Sequence, residues 1–312
     1  MGERAEAAPA AIGSVAFEPT VLNRRSAGVR FPLKVAALNL RGSGQVEAIA
    51  ACLKRPPLDG AGVLLLSEVA WRTRWSGRRE VAAELASILG MSFVFAPSWG
   101  YRSSHDGSMA SLKGCAILSA QPLIDVATPP IPALPHRHNP HRRIDRHAGI
   151  VASIVIGGRE IKVGVVHLSR GGSPQFRARQ MDEYLAGFPS GDPAVVGGDF
   201  NTTTIAWNSF ALAEVAALMM LRPRRFRDPA RYEPLLGRLG DAGFAIDGAN
   251  VALKPTFTFT RIVPPVMRPK LDWIAIRGLR AVAGSAAVVA PRASVLSRRI
   301  SDHDLVVCEV TA

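Results

Sequence analysis

The chain is poor in cysteine, tyrosine and acidic charge. Its 312 residues hold three cysteines (Cys52, Cys115 and Cys308), three tyrosines and 25 acidic side chains against 38 lysines and arginines. Three scattered thiols exclude a disulfide framework and a zinc cluster. No long apolar run is present either. The longest, 205–221, is broken by Asn208, Ser209 and Glu214 and falls short of the ~20 residues a spanning helix needs. It reads as a buried or amphipathic helix, and no membrane insertion is expected. The first twenty residues lack the continuous apolar core of a secretory leader, so a cytoplasmic location is expected. A Walker-type phosphate loop, a G-x-S-x-G elbow and an H-E-x-x-H helix are also missing, which removes three common hydrolase chemistries.

What is present is apolar and basic. Apolar residues make up 48% and charged residues 20%, too apolar for a disordered chain and enough for a full core. The formal net charge is +13, and 32 of the 38 basic residues are arginine. Such an excess suits a polyanionic partner: nucleic acid, phosphorylated metabolite or anionic lipid. Charge narrows the partner without naming it.

Residues 1–31 read as a poorly ordered tail, and 32–312 as one domain. Short apolar runs predict strands at 34–40, 62–69, 92–97, 114–120, 192–200, 256–260, 270–278, 284–290 and 304–310. The runs 148–156 and 160–168 flank Gly157-Gly158 and predict a hairpin. Helices are predicted at 45–55, stopped by Pro56-Pro57, at 78–90, and at 173–188 with Ser173 as N-cap. This mixture implies α/β with mixed sheets. Two basic stretches of low order interrupt it, 132–147 and 222–234. The first holds four of the seven histidines, His136, His138, His141 and His147.

Polar residues at the ends of apolar strands are the informative positions, because the strand supplies rigidity and its end supplies exposure. Asn39, Glu68, His167, Asp199 and Asn201 end such runs, Asp272 opens one, and Asp302 and His303 precede one. Any one of them could cap a turn. Together they form a chemical set: hard oxygen donors for Mg²⁺ beside groups that can position water and phosphate.

In this order the motifs LNLRG (38–42), SEV (67–69), GCAILS (114–119), VVHLS (165–169), GGDFN (197–201), KLDWI (270–274) and SDHDLV (301–306) resemble the endonuclease/exonuclease/phosphatase superfamily, which includes DNase I. The resemblance implies a four-layer α-β-β-α sandwich of two mixed sheets and hydrolysis of phosphoesters with Mg²⁺, Mn²⁺ being a substitute. It implies Glu68 as principal metal ligand, with Asn39 and Asp302 supporting. Asp199 would activate water, Asn201 and His167 would contact phosphate, and His303 would act as the acid/base histidine held by Asp272. Arg146, just before 148–156, matches a substrate-binding arginine of the DNase I-like pattern.

The substrate stays open at this level. Ser67-Glu68-Val69-Ala70 and His167 depart from the AP-endonuclease pattern, and the disulfides of secreted DNase I are absent. A monomeric, sequence-nonspecific DNA endonuclease is the leading expectation, with the Arg-rich loops gripping the backbone. A phosphodiesterase or phosphatase for a lipid headgroup or small metabolite is the alternative, with Trp71, Trp75, Trp99, Tyr101 and 205–221 shaping an amphipathic surface. A nucleic-acid-binding module without catalysis is the third reading, opposed by the intact acidic and histidine set.

Overall fold

The computed structural model describes residues 18–24, 28–102, 109–134, 143–145, 149–209, 211–258, 264 and 267–312. Two mixed sheets stack face to face. The larger runs β1 (Thr20–Leu22), β4 (Ser92–Arg102), β5 (Met109–Ser119), β3 (Val63–Trp71), β2 (Leu33–Asn39), β14 (Leu305–Thr311) and β12 (Arg280–Ala281). Two short strands join it: β7 (Arg143–Asp145) on β4 and β13 (Ala287–Val289) on β14. The smaller runs β11 (Asp272–Arg277), β10 (Ala194–Asp199), β9 (Arg159–Val165), β8 (Ile150–Ile156) and β6 (Ile124–Ala127). Only β2–β3 and β9–β10 are parallel.

Between the sheets lies an apolar layer that includes Val35, Ala37, Leu65 and Ile117 from one sheet and Ile154, Val163, Val195 and Ile274 from the other. The opposite face of the larger sheet is covered by α1 (Val46–Leu53) and α2 (Val81–Leu89). The opposite face of the smaller sheet is covered by α3 (Pro174–Leu185) and α6 (Pro234–Asp241). The result is the expected four-layer sandwich. Strands covered on both faces read as unbroken apolar runs, which is why β2, β3, β10 and β14 were legible. Ser173 does cap α3, accepting from the Phe176 amide at 3.1 Å. The three cysteines are buried and free.

The strand Ile124–Ala127 and the helix Pro234–Asp241 were not expected, and four further segments differ from the sequence reading. Thr20–Leu22, inside the expected tail, adds an edge strand to β4, while 1–17 lie outside the described residues. Arg143–Asp145, inside the first basic stretch, pairs with the far end of β4. The second basic stretch is folded: α4 (Leu212–Leu221) leads into α5 (Pro223–Arg227) and a 3-10 turn at Pro229–Arg231, anchored by Phe226 at 0% exposure. Its Arg and Pro content disguised an ordered connection. Finally, 256–258 form no strand, and 259–260 lie outside the described residues; Phe257 makes one isolated bridge to His303. The Thr256 hydroxyl there accepts from the amides of Leu271 and Asp272 instead. Among the described residues no helix is long and apolar enough to cross a membrane.

Candidate active site

Strand direction brings the predicted residues to one edge. The parallel strands β2, β3 and β9, β10 deliver their C-terminal ends there, with Asn39, Glu68, His167 just past β9, and Asp199. The antiparallel neighbours β11 and β14 deliver their N-terminal ends, with Asp272 and His303. Asp199 and Asp272 are direct cross-strand partners. The alternation of β3 breaks between Leu66 and Val69, and Glu68 has φ +51°. A bulge re-aims a side chain in this way. Arg41 (φ +52°) and Asn201 (φ +50°) share the left-handed conformation; such backbone strain is characteristically stored at functional sites.

Asp199 is the hub. Its Oδ2 accepts from Asn39 Nδ2 at 2.9 Å, and faces His167 Nε2 at 3.5 Å and His303 Nε2 at 3.8 Å. Its Oδ1 accepts from the Asn201 amide at 2.9 Å. Asn39 also donates to Glu68 Oε1 at 3.3 Å, so one buried amide links the two carboxylates. His167 Nε2 stands 4.0 Å from the same Glu68 oxygen. His303 Nδ1 donates to Asp272 Oδ2 at 2.8 Å. Asn201 Nδ2 donates to the Leu168 carbonyl at 2.8 Å, tying its turn to the one carrying His167.

The charges are strongly coupled. Burial alone would lower the His303 imidazole, but the carboxylates of Asp272 and Asp199 outweigh it and raise the group to about 10. Burial pushes the Asp272 carboxyl up to about 6, against the pull of His303. Burial also raises Asp199. At Glu68 burial is outweighed by the charges of His167 and Lys113, which bring it to about 2. Burial holds His167 itself below the usual imidazole range, and Lys113 and His303 are the other positive groups acting on Glu68.

Lys113 was not singled out from the sequence. It lies in β5, and its ammonium is ion-paired with Glu68 Oε2. It immediately precedes the apolar run 114–120, and β5 runs antiparallel to β3, which sets Lys113 opposite Ala70, two residues past Glu68. That direction is not written in the residues. Arg41 and Ser301 were also missed. Arg41 donates its amide to Asn39 Oδ1 at 2.8 Å, and its Nε lies 3.3 Å from Asp302 Oδ2. Ser301 donates to the Asn39 carbonyl at 2.7 Å and accepts from the His303 amide at 3.2 Å. Asp302 therefore meets the cluster through Arg41 and Ser301. Arg146 and the four loop histidines lie outside the described residues.

The donor set fits a divalent cation. Asp199, Asp272 and His303 each place a ligand atom within 4.8 Å of the others. Asp272 Oδ1 is buried without a hydrogen-bond partner among the described residues. With Glu68 beside them, the donors are mainly hard oxygens. This group differs from the Asn39, Glu68 and Asp302 set implied by resemblance, since Asp302 faces Arg41. The His303 ring bonds Asp272 Oδ2 through Nδ1, so the unpartnered Asp272 Oδ1 and the Asp199 carboxylate are the oxygens this group offers an ion.

Fold and site together define a DNase I-like sandwich with an acid–histidine edge. The chain belongs to the endonuclease/exonuclease/phosphatase family, whose sequence model matches residues 36–303. The family hydrolyses phosphoester bonds. No curated protein matches the sequence. Among solved structures, an endonuclease/exonuclease/phosphatase from Beutenbergia cavernae DSM 12333 aligns with TM-score 0.58 and 19% identity, over 89% of this chain and 71% of that one. An AP endonuclease from Archaeoglobus fulgidus aligns with TM-score 0.54 and 17% identity, over 88% and 98%. D. rerio TDP2 complexed with single-strand DNA product gives 0.54 and 15%, over 90% and 99%. At these identities the likeness is one of fold.

Proposed function

We propose that the protein is a divalent-metal-dependent phosphodiesterase that cleaves DNA without reading its sequence. The observation that carries this is the convergence of Asn39, Glu68, His167, Asp199, Asp272 and His303 on one sheet edge. In this reading Glu68 holds Mg²⁺ or Mn²⁺, with Asn39 orienting its carboxylate and Asp302 supporting through Arg41. A divalent ion held there would supply neutralisation of phosphate charge and stabilisation of the leaving oxygen. Asp199 accepts a proton from the attacking water. His167 faces the phosphate oxygens that gain charge, and Asn201 fixes the turn that aims it. His303, kept protonated by Asp272, stabilises charge on the phosphoryl group.

DNA is favoured by exposed charge and by an exposed indole. Arg222, Arg224 and Arg231 are exposed, as is Trp75 at 55%, 6.2 Å from Trp99 by ring centroids. Exposed guanidinium groups suit a phosphate backbone, and an exposed indole can stack on a base. The structural neighbours that are an AP endonuclease and a TDP2 bound to single-strand DNA fit the same substrate class. A lipid-headgroup phosphodiesterase draws support from one observation, the exposed Met220 (60%) and Leu221 (81%) at the end of α4. Trp71 supports neither, since it stacks on Phe95 at 4.8 Å.

Plasmid nicking in Mg²⁺ tests the proposal. Nicking by the parent and loss of roughly 10²-fold or more in Glu68→Ala and Asp199→Asn is expected. Turnover of sphingomyelin or a p-nitrophenyl phosphodiester, without nicking at any ionic strength, would replace DNA with the alternative substrate.

A further inference from the structure

We propose that Lys113 is a tethered cation that competes for the Glu68 carboxylate and so sets how tightly the site holds a divalent metal. The inference rests on the reading of Glu68 as metal holder. Its first observation is direct: the Lys113 ammonium is ion-paired with Glu68 Oε2, while Oε1 takes Asn39 Nδ2 at 3.3 Å. Both carboxylate oxygens are engaged, one of them by a full positive charge.

The second observation is that the ammonium is held in place. The Lys113 side chain is 12% exposed. Its Nζ lies 5.4 Å from the centroid of the Trp99 ring. Its Cε packs against Gly42, where an added Cβ would lie 2.9 Å from both Lys113 Cε and Trp75 Nε1. The backbone is fixed too. Lys113 pairs with Ala70 on β3 and with Trp99 on β4, and register shifts occur in both neighbouring strands close by. The next residue, Gly114, leaves no room for a Cβ, which would come within 1.9 Å of the Ala96 carbonyl. Two strands thus close tightly on this point and present the lysine to Glu68.

A carboxylate lone pair that accepts from an ammonium is not free for a metal. A divalent ion arriving at Glu68 must displace the ammonium or sit beside a like charge, and both weaken its binding. The four-carbon stem allows the displaced group to move, and a substrate phosphate is the anion nearest in kind to take it. Lys113 would then pass from the carboxylate to the substrate as metal binds.

Mn²⁺ binding, measured by titration calorimetry on the full chain without substrate, tests this. Lys113→Met should bind Mn²⁺ at least about tenfold more tightly than the parent, because one like charge is removed. Lys113→Arg should stay near the parent, which separates charge from packing. Thermal unfolding without metal checks that both variants fold. Equal or weaker Mn²⁺ binding in folded Lys113→Met, with binding lost in Glu68→Gln, would overturn the role of Lys113 and leave the Glu68 site standing. Parent-like binding in Glu68→Gln would remove the metal reading itself, and this inference with it.

Discussion

His303 shows how far neighbours can move one side chain. Its ring is 7% exposed, and burial alone favours the neutral form. Asp272 at 2.8 Å and Asp199 at 3.8 Å reverse that and raise it to about 10. The sign for stability follows. A histidine raised from 6.5 stabilises the fold fully below 6.5, and that contribution is lost as pH rises through about 10. Asp272, raised by burial to about 6, is ionised only above that value. The pair is therefore charged on both sides between about 6 and 10. Asp272→Asn should lower the His303 value, and histidine ring NMR across pH would register the shift. Its activity should fall on the alkaline side first, as the proton on His303 leaves at lower pH. An unmoved ring titration would mean that Asp272 does not hold the charge of His303.

At the scale of elements, the turn after β10 depends on a buried ion pair some distance from the chemistry. Arg177 on α3 and Glu233 just before α6 are both 0% exposed. Arg177 Nε donates to Glu233 Oε2 at 3.1 Å, and Nη2 donates to the Ile205 carbonyl at 3.2 Å. Glu233 accepts from the Thr204 amide at 2.6 Å. Thr202 donates to the Lys270 carbonyl and accepts from Trp273 Nε1. The segment that follows Asn201 is held from both sides. Removing one partner leaves a buried charge, so Arg177→Met should cost ~3–5 kcal/mol, read by urea unfolding. Arg177→Met with Glu233→Leu should recover much of that loss. The glycines of β10 differ in the same test. A Cβ at Gly197 meets Leu65 Cδ1 at 2.8 Å and the Trp273 carbonyl at 3.0 Å, whereas at Gly198, with φ +134°, it meets the Val166 carbonyl at 2.2 Å. Gly198→Ala should destabilise more than Gly197→Ala.

Across the whole molecule, charge and chemistry occupy different places. Among the described residues, the acid–histidine edge carries Lys113 and Arg41 as cations beside its histidines. The +13 excess is borne elsewhere, including the exposed Arg222, Arg224 and Arg231. Not every arginine of that stretch is free to meet a ligand. Arg225 bonds Thr204 and covers the Tyr232 ring at 4.6 Å, and Arg227 donates to the Leu253 carbonyl. With DNA as the proposed substrate, affinity for it should fall steeply between ~50 and ~200 mM salt. Replacing Arg222, Arg224 and Arg231 together by alanine should flatten that salt slope while leaving folding unchanged. Filter binding over a salt series would measure both slopes.

The apolar runs alone were enough to read α/β with mixed sheets and to mark candidate site residues, while the four layers came from the family resemblance. Doubly covered strands must be apolar along their length, so the polar residues that end them stand out: Asn39, Glu68, Asp199, Asp272 and His303. The tertiary structure decided which strand ends meet, because direction and register are properties of pairing between distant segments. That is why Lys113, inside β5, went unnoticed, and why Asp302 joins through Arg41. It also decided which arginines are structural, since composition records a charge and only packing shows what it touches.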